Sequence, residues 1–117
     1  MADTYREFDH ENRMNRIKTH MQKQKVYDYL ATIPKGKVVT YGQIAEYLGD
    51  KNLSRTVGNI LHSNPDGVKY PCYKVVNYKG KLSENYAFGG ISQQRNKLIA
   101  DGIVVENDSV DLKKYRW

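Results

Sequence analysis

Two short helix patterns joined by a tight polar turn are the feature that most constrains the fold of this chain. The first, TYGQIAEYLGD, starts with a capping-box pattern, because Gln43 follows Thr40 by three residues. Gly49 suits the end of this helix. The second pattern runs from about Leu53 to Leu61, and its apolar residues recur at helical spacing. Two short helices connected in this way predict a helix-turn-helix.

The segments on either side of this unit predict a small α+β domain. Upstream, apolar residues from Met21 predict a helix that ends at Pro34, and KVVTY is either a brief strand or an extended link. Downstream, YPCYKVVN predicts a strand, and YKGK predicts a turn that brings the chain back as a two-stranded wing. ISQQRNKLIADG predicts the last helix, and the tail predicts a small hairpin around ENDS. We therefore expect an α+β, mostly helical, winged helix-turn-helix domain over residues 19–117, after a flexible or loosely packed tail over residues 1–18.

Composition argues against several classes of protein. A length of 117 residues suits one domain. The single cysteine cannot form an internal disulfide, and the three histidines are scattered, so we expect neither a metal nor a cofactor. No apolar run reaches the roughly 18 residues of a membrane span, and the polar N-terminus lacks the apolar core of a signal peptide. We expect a cytoplasmic monomer without a membrane partner.

The positive charge is concentrated in the middle of the chain. Between Lys35 and Lys81 there are eight basic and three acidic residues, so this stretch carries five of the six net positive charges. Such a concentration indicates a polyanionic partner, with nucleic acid as the leading candidate. A lysine-rich surface that only faces solvent is the alternative interpretation.

The second helix pattern has an outer face of small residues from which one long cation projects. The cation is Arg55, and the small residues beside it are Ser54, Thr56, Gly58 and Asn59. A face of this kind can approach another surface closely, and an arginine on it can reach between bases or fill the space of an extruded base. The alternative is an ordinary helix start with a solvated arginine, since Ser and Thr are also common there for capping.

The only cysteine, Cys72, lies in YPCYKVVN and has two interpretations. A cysteine nucleophile reacts as the thiolate, and only a few per cent of an unperturbed thiol is ionised at neutral pH. Its neighbour Tyr73 is a poor base at pH 7, whereas Lys74 could favour the thiolate by its charge. A buried cysteine that serves only as a small apolar side chain is the other interpretation.

Four segments, in order, resemble one known family. PKGKVVTYGQIAEYLG, SRTVGNILHSNP, YPCYKVVN and NYAFGG resemble the C-terminal DNA-binding and active-site domain of the O6-alkylguanine-DNA alkyltransferases, or methylated-DNA–protein-cysteine methyltransferases. The resemblance runs from about Met21 to the C-terminus. The ending DLKKYRW is more similar to the short alkyltransferase-like proteins, which bind alkylated guanine without repairing it and direct it to nucleotide excision repair. The resemblance implies a fold of the alkyltransferase type and a double-stranded DNA partner that carries O6-alkylguanine.

The resemblance also implies roles for individual residues. Arg55 matches the arginine that enters the duplex where the damaged nucleotide is flipped out, and Tyr41 matches the tyrosine that helps to rotate the nucleotide and hold the base. Cys72 matches the alkyl acceptor of the family pattern PCHRV, and Asn64 matches an asparagine that supports the active-site strand. The other matched positions belong to the recognition helix, which enters the minor groove in this family, and to the pocket: Ser54, Thr56, Gly58, Val75, Tyr86 and Ala87.

Around the cysteine the sequence departs from the family pattern. Tyr73 replaces the histidine that follows the cysteine, and Lys74 replaces the arginine. The glutamate that orients the histidine falls near Arg95. In the non-repairing relatives the cysteine itself is lost, usually to tryptophan or alanine, so this chain matches neither pattern fully.

Three functions therefore remain open. As a single-turnover alkyltransferase, the protein would accept the alkyl group on Cys72, helped by Lys74 or by a water held by Tyr73, with His62 or Glu84 as base if the fold brings either close. As a lesion sensor, it would flip the base and leave the chemistry to nucleotide excision repair proteins. A plain helix-turn-helix regulator explains the basic stretch but not the matched site residues. Recognition of the lesion is common to the first two functions.

Overall fold

The computed structural model describes residues 22–117, so the tail predicted for residues 1–18 lies outside the described residues. Residues 22–32 are helical and are named α1. The other elements are β1 (Val39–Thr40), α2 (Tyr41–Tyr47), α3 (Ser54–His62), β2 (Val75–Val76), α4 (Gly90–Ala100) and α5 (Leu112–Tyr115). Short 3₁₀ turns at Lys51–Leu53 and Cys72–Lys74 lead into α3 and β2. The predicted α+β class, with more helix than strand, is confirmed.

The helix-turn-helix of α2 and α3 is confirmed, and local hydrogen bonds explain where its helices begin and end. The Gln43 N–H donates to Thr40 Oγ1 at 3.1 Å, and the Thr40 N–H donates to Gln43 Oε1 at 3.0 Å, which completes the capping box. Gly49 follows the end of α2 with a φ of +101°, a conformation that favours glycine. The Asp50 carboxylate then accepts the Asn52 N–H at 2.9 Å and starts the 3₁₀ turn before α3.

The two strands pair in parallel, with Val39 opposite Val75 and Thr40 opposite Val76. The predicted wing, in which YKGK returns the chain as an antiparallel partner of the cysteine strand, is therefore wrong. Residues 72–74 of the predicted strand form a 3₁₀ turn instead. The physical reason is burial: Val75 and Val76 are both buried, which is typical of a parallel pair covered on both faces and not of a wing with one face in solvent.

Both predicted turns of the second half are present. At YKGK, the Asn77 side chain accepts the backbone N–H groups of Lys79 and Lys81 at 2.9 Å each. Lys81 then forms an isolated bridge with Ser109 and does not continue as a strand beside β2. The hairpin predicted around ENDS is confirmed, because Glu106 and Ser109 exchange two backbone hydrogen bonds of 3.0 Å.

β2 separates two hydrophobic clusters. Val75 packs with residues of α1, α2 and α3 together with Cys72 and Tyr86, whereas Val76 packs with Val38, Leu98 and residues of the C-terminal segment. Because neighbouring residues of a strand point to opposite faces, this two-residue strand belongs to both clusters. The backbone next to Cys72 is therefore held firmly on both sides.

The C-terminal helix α5 was not predicted from the sequence. It has four residues, too few for a helical pattern, and the chain around it is tied to Val38. The Val38 N–H donates to the Tyr115 carbonyl at 2.9 Å, and the Trp117 N–H donates to the Val38 carbonyl at 2.8 Å. Within residues 22–117, no helix combines the length and the apolar character that crossing a membrane requires.

Candidate functional site

A pocket of about 760 Å³ opens between the start of α2, the outer face of α3, the cysteine segment and the loop before α4. Its volume lies in the range of roughly 300–1,000 Å³ that is usual for small-molecule sites. Nine of the site residues predicted from the sequence line it: Tyr41, Ser54, Arg55, Gly58, Asn59, Cys72, Val75, Tyr86 and Ala87. Four others do not: Thr56, Asn64, Tyr73 and Lys74. The fold thus brings four separate segments of the chain into one concave site.

Arg55 projects from the outer face of α3 beside this pocket. The opposite face of the helix is buried through Val57, Ile60 and Leu61. The Arg55 side chain is exposed and forms no hydrogen bond or salt bridge with any residue of the described range 22–117. A guanidinium carries five N–H donors and matches phosphate oxygens and base edges well. The donors of Arg55 are therefore available to a partner that approaches α3.

Gly58 leaves a gap in the same helix face. A Cβ placed on Gly58 would meet nothing within 4 Å. Glycine inside a helix is less stable than alanine by about 0.5–1 kcal/mol, and here it relieves no contact within the described residues. Its absent side chain allows the partner's surface to come close to the backbone of α3.

Asn64 supports the backbone that carries the cysteine. Its Nδ2 donates to the Tyr70 carbonyl at 2.8 Å, and its Oδ1 accepts the Asp66 N–H at 3.0 Å. Two backbone N–H groups of the same turn donate to the Asp66 carboxylate and hold its pKa below the usual range. Tyr70 is two residues before Cys72. This network of hydrogen bonds therefore fixes the backbone that leads into the cysteine segment of the pocket wall.

The Cys72 thiol is only 5% exposed, and burial raises its pKa above the ordinary value. A hydrogen bond with the Asn64 side chain and the positive charge of Lys97 act in the opposite direction. Burial is the larger effect, so the thiol is neutral at pH 7. A neutral thiol is a weak nucleophile. Burial therefore disfavours the thiolate, which is the reactive form.

Comparison with known proteins agrees with this geometry. The model of the DNA-binding domain of 6-O-methylguanine DNA methyltransferase matches residues 21–103. The chain belongs to this family. The DNA base-flipping protein of Escherichia coli is 37% identical over 95 residues, which cover 80% of this chain and 72% of that protein. The bifunctional methyltransferase/endonuclease of Picrophilus torridus is 41% identical over 92 residues, 79% of this chain but only 30% of that longer protein.

A solved structure confirms the fold. S. pombe Atl1, in complex with damaged DNA containing O6-carboxymethylguanine, matches with a TM-score of 0.76 and 30% identity. The match covers 84% of this chain and 95% of that chain. The resemblance found in the sequence is therefore confirmed, and the family includes proteins named for methyl transfer as well as for base flipping.

Lys74, one of the departures from the methyltransferase pattern, is turned away from the pocket. It is 4% exposed, and its Nζ lies 3.3 Å from Asp101 Oδ2. The same ammonium donates to the carbonyls of Pro34 at 3.1 Å and Ile33 at 3.4 Å, just after α1. Asp101 balances the charge of Lys74 away from the pocket. This pairing does not support the expectation that Lys74 favours the thiolate.

Tyr73, the other departure, also points to Asp101. Burial raises the pKa of Tyr73, and the nearby charge of the Asp101 carboxylate raises it further. A phenol in this state is no base at pH 7. The sequence comparison placed the family's orienting carboxylate near Arg95, but Arg95 forms a salt bridge with Asp108. The carboxylate beside residue 73 is that of Asp101 instead.

Gln94 is a site residue that sequence reasoning missed. It is almost fully buried, and its Nε2 donates to the carbonyls of Tyr73 at 3.1 Å and Val75 at 3.0 Å. Its Oε1 accepts the Ser83 N–H at 2.8 Å. Gln94 thus joins α4 to two walls of the pocket. An amide on the inward face of a predicted helix was the signal that could have identified it.

Other missed residues lie at the rim and behind the loop. Tyr78 is 77% exposed and lines the pocket. Of the two candidate bases, His62 lines the pocket and Glu84 does not. Lys97, whose charge affects Cys72, had no signal in the sequence because only the fold brings the two together. Within residues 22–117, no group of three or more His, Cys, Asp or Glu side chains is arranged to hold a metal ion.

Proposed function

We propose that this protein recognises O6-alkylguanine in double-stranded DNA by taking the flipped nucleotide into the pocket beside α3. The observation that carries the proposal is the position of this pocket directly beside an exposed arginine and a helix face of small residues. Chemistry on O6 of a paired guanine requires extrusion of the base, and a pocket next to an inserting side chain serves this purpose. The names of two relatives support it, since one is a DNA base-flipping protein and the other was solved with DNA containing O6-carboxymethylguanine.

In this proposal α3 lies in the minor groove. Ser54, Thr56, Gly58 and Asn59 give it the low profile that a narrow groove requires, and Arg55 occupies the space that the extruded nucleotide leaves. Tyr41, at the first position of α2, rotates the nucleotide outwards. The flipped base then lies between Val75, Tyr86 and Ala87, which line the pocket. Excess positive charge in the middle of the chain attracts the phosphate backbone.

A second activity is a single transfer of the alkyl group to Cys72. The observation in its favour is that the cysteine of this chain lines the same pocket. In the transfer, the thiol proton leaves to solvent, sulfur bonds to the alkyl carbon, and the bond from that carbon to O6 breaks. The electron pair stays on the guanine, which takes a proton from solvent. Because burial keeps the thiol neutral, we expect this transfer to be slow.

Lesion recognition without transfer is the alternative, in which nucleotide excision repair proteins act on the bound lesion. The raised pKa of Cys72 favours this alternative. In either case we propose that the protein acts as a cytoplasmic monomer with access to DNA.

Intact-protein mass spectrometry distinguishes the two activities. The wild type and Cys72→Ser are incubated with excess duplex carrying one O6-methylguanine, and binding to the same duplex and to its unmodified form is measured in parallel. We expect lesion-specific binding by both proteins and a slow gain of one methyl group by the wild type alone. Binding without any methyl gain would establish the sensor. Equal affinity for modified and unmodified duplexes would refute lesion recognition.

A further inference from the structure

The charged and titratable groups that act on Cys72 or line the pocket with it come from six parts of the fold. They are Tyr27 of α1, Tyr41 of α2, Arg55 and His62 of α3, Tyr78 after β2, Tyr86 of the loop before α4, and Lys97 of α4. The Tyr27 hydroxyl donates to the Ile60 carbonyl at 3.0 Å, so it is already engaged. Arg55 and His62 are exposed, and the His62 ring lies 3.4 Å from the Asn85 carbonyl. Lys97 is different because its ammonium is held against the loop that closes the pocket.

Lys97 is fixed by two contacts with this loop. Its Nζ lies 2.7 Å from the Tyr86 hydroxyl oxygen. It also lies 5.3 Å from the centre of the Phe88 ring, a distance that allows a cation–π interaction with that ring. The ammonium is thus held in one place directly behind Tyr86.

The direction of the hydrogen bond between these two residues follows from their chemistry. An ammonium can only donate, so the Tyr86 oxygen is the acceptor and its O–H remains free to donate elsewhere. Tyr86 is buried and lines the pocket together with Cys72. A phenol that accepts from a cation is a stronger donor towards a negative charge, because hydrogen bonds in a chain polarise one another. Cys72 belongs to the same buried cluster as Tyr86 and lines the same pocket, so a thiolate there is such a charge.

We propose that Lys97, acting through Tyr86, is the positioning residue that supplies the positive charge for the Cys72 thiolate, in the place of the histidine that the family pattern has where this chain has Tyr73. The proposal rests on the proposed transfer to Cys72. It assigns no base to the site: the thiol proton goes to solvent, and the Lys97–Tyr86 pair stabilises the sulfur anion that remains. The electrostatic effect of Lys97 on Cys72 agrees with this assignment, whereas Lys74 is paired with Asp101 and does not line the pocket.

Reaction of the free thiol with iodoacetamide tests the proposal without DNA. The rate is followed by intact mass from pH 6 to pH 10 for the wild type, Lys97→Gln and Lys97→Arg. We expect Lys97→Gln to react more slowly at pH 7.5 by a factor of about three to ten, and its pH profile to move to higher pH. Lys97→Arg keeps the charge and should restore most of the rate. A merely structural role of Lys97 would change the stability and not the midpoint of the pH profile.

Two further variants make the outcome decisive. Lys114 is an exposed lysine whose Nζ lies 5.4 Å from the Tyr115 ring, so Lys114→Gln removes the same charge and the same kind of aromatic contact away from the pocket. We expect its profile to match the wild type, and an equal shift would mean that net charge alone is responsible. Tyr86→Phe keeps the ring but removes the oxygen that links Lys97 to the pocket. If Lys97→Gln and Tyr86→Phe both keep the wild-type pH profile, the proposal is wrong. If circular dichroism shows that Lys97→Gln does not fold, the pH profile of Tyr86→Phe alone tests the proposal. Because no DNA is present, this result is independent of lesion binding.

Discussion

Replacement of Gly58 by alanine should stabilise the protein and weaken its binding to DNA. In the folded chain a Cβ at this position meets nothing within 4 Å, so the alanine brings no clash. Alanine is favoured over glycine in a helix interior by about 0.5–1 kcal/mol. We therefore expect Gly58→Ala to raise the free energy of unfolding by about that amount, measured by urea denaturation with an unchanged slope.

The same methyl group should interfere with DNA. Gly58 lines the pocket on the face of α3 that we place in the minor groove, so the added Cβ keeps the helix backbone away from the groove. We expect the affinity for a duplex with one O6-methylguanine to fall on the order of tenfold, or about 1.4 kcal/mol. Fluorescence anisotropy with a labelled duplex measures this change. If α3 contacts DNA at this position, the same substitution should raise the free energy of unfolding and lower the affinity for DNA.

Ser92→Ala provides the matched control. Ser92 is an exposed residue of α4 that does not line the pocket, so alanine there should also raise helix stability, by a few tenths of a kcal/mol. Its affinity for the duplex should match the wild type, which separates stabilisation from contact. If Gly58→Ala is more stable and binds the lesion duplex as tightly as the wild type, α3 does not approach DNA at this position and the proposed docking is refuted.

Three other perturbations test separate parts of the site. Arg55→Ala should weaken binding to a lesion duplex about tenfold and binding to the same single strand much less, because the side chain fills a gap in stacked DNA. Both affinities are measured by fluorescence anisotropy, and equal losses would contradict insertion. Tyr73→His should speed methyl transfer to Cys72 about tenfold, since a histidine there would lie beside the Asp101 carboxylate and could act as a base. Single-turnover mass spectrometry measures the rate. An unchanged rate would show that the missing base does not limit the reaction. Burial raises the pKa of Cys72 in the folded protein above its ordinary value. As the pH rises, the unfolded chain therefore loses the thiol proton first, and the free energy of unfolding should fall above about pH 9. Urea denaturation at pH 8 and pH 10 should show a smaller fall for Cys72→Ser, and identical falls would mean that the thiol does not contribute.

Features that depend on neighbouring residues were predictable from the sequence. The capping box of Thr40 and Gln43 and the positive φ of Gly49 involve residues a few positions apart, and the structure has them as expected. The hairpin around ENDS is equally local. Most of the pocket residues were also found, but through four motifs of a known family, since periodicity alone says nothing about which loop meets which helix.

The features that were missed or wrong involve residues far apart in the chain. Val75 and Val76 form a short apolar pair, and their sequence is equally compatible with an antiparallel partner across YKGK and with the parallel partner β1. Burial of both faces between two clusters selected the parallel partner. Lys74 similarly looks like a neighbour of the thiol in the sequence, but its side chain points to Asp101.

The amino-acid sequence by itself therefore determined the helix-turn-helix, its caps, the basic middle of the chain and the presence of a single cysteine. The tertiary structure alone decided the electrostatics of that cysteine: it buried the thiol, turned Lys74 away from the pocket and brought Lys97 behind Tyr86. The physical reason is the sequence separation of the groups that interact. Helix caps and turns are set by hydrogen bonds within a few residues, whereas the pKa of a side chain depends on every charge and apolar group that the fold places around it.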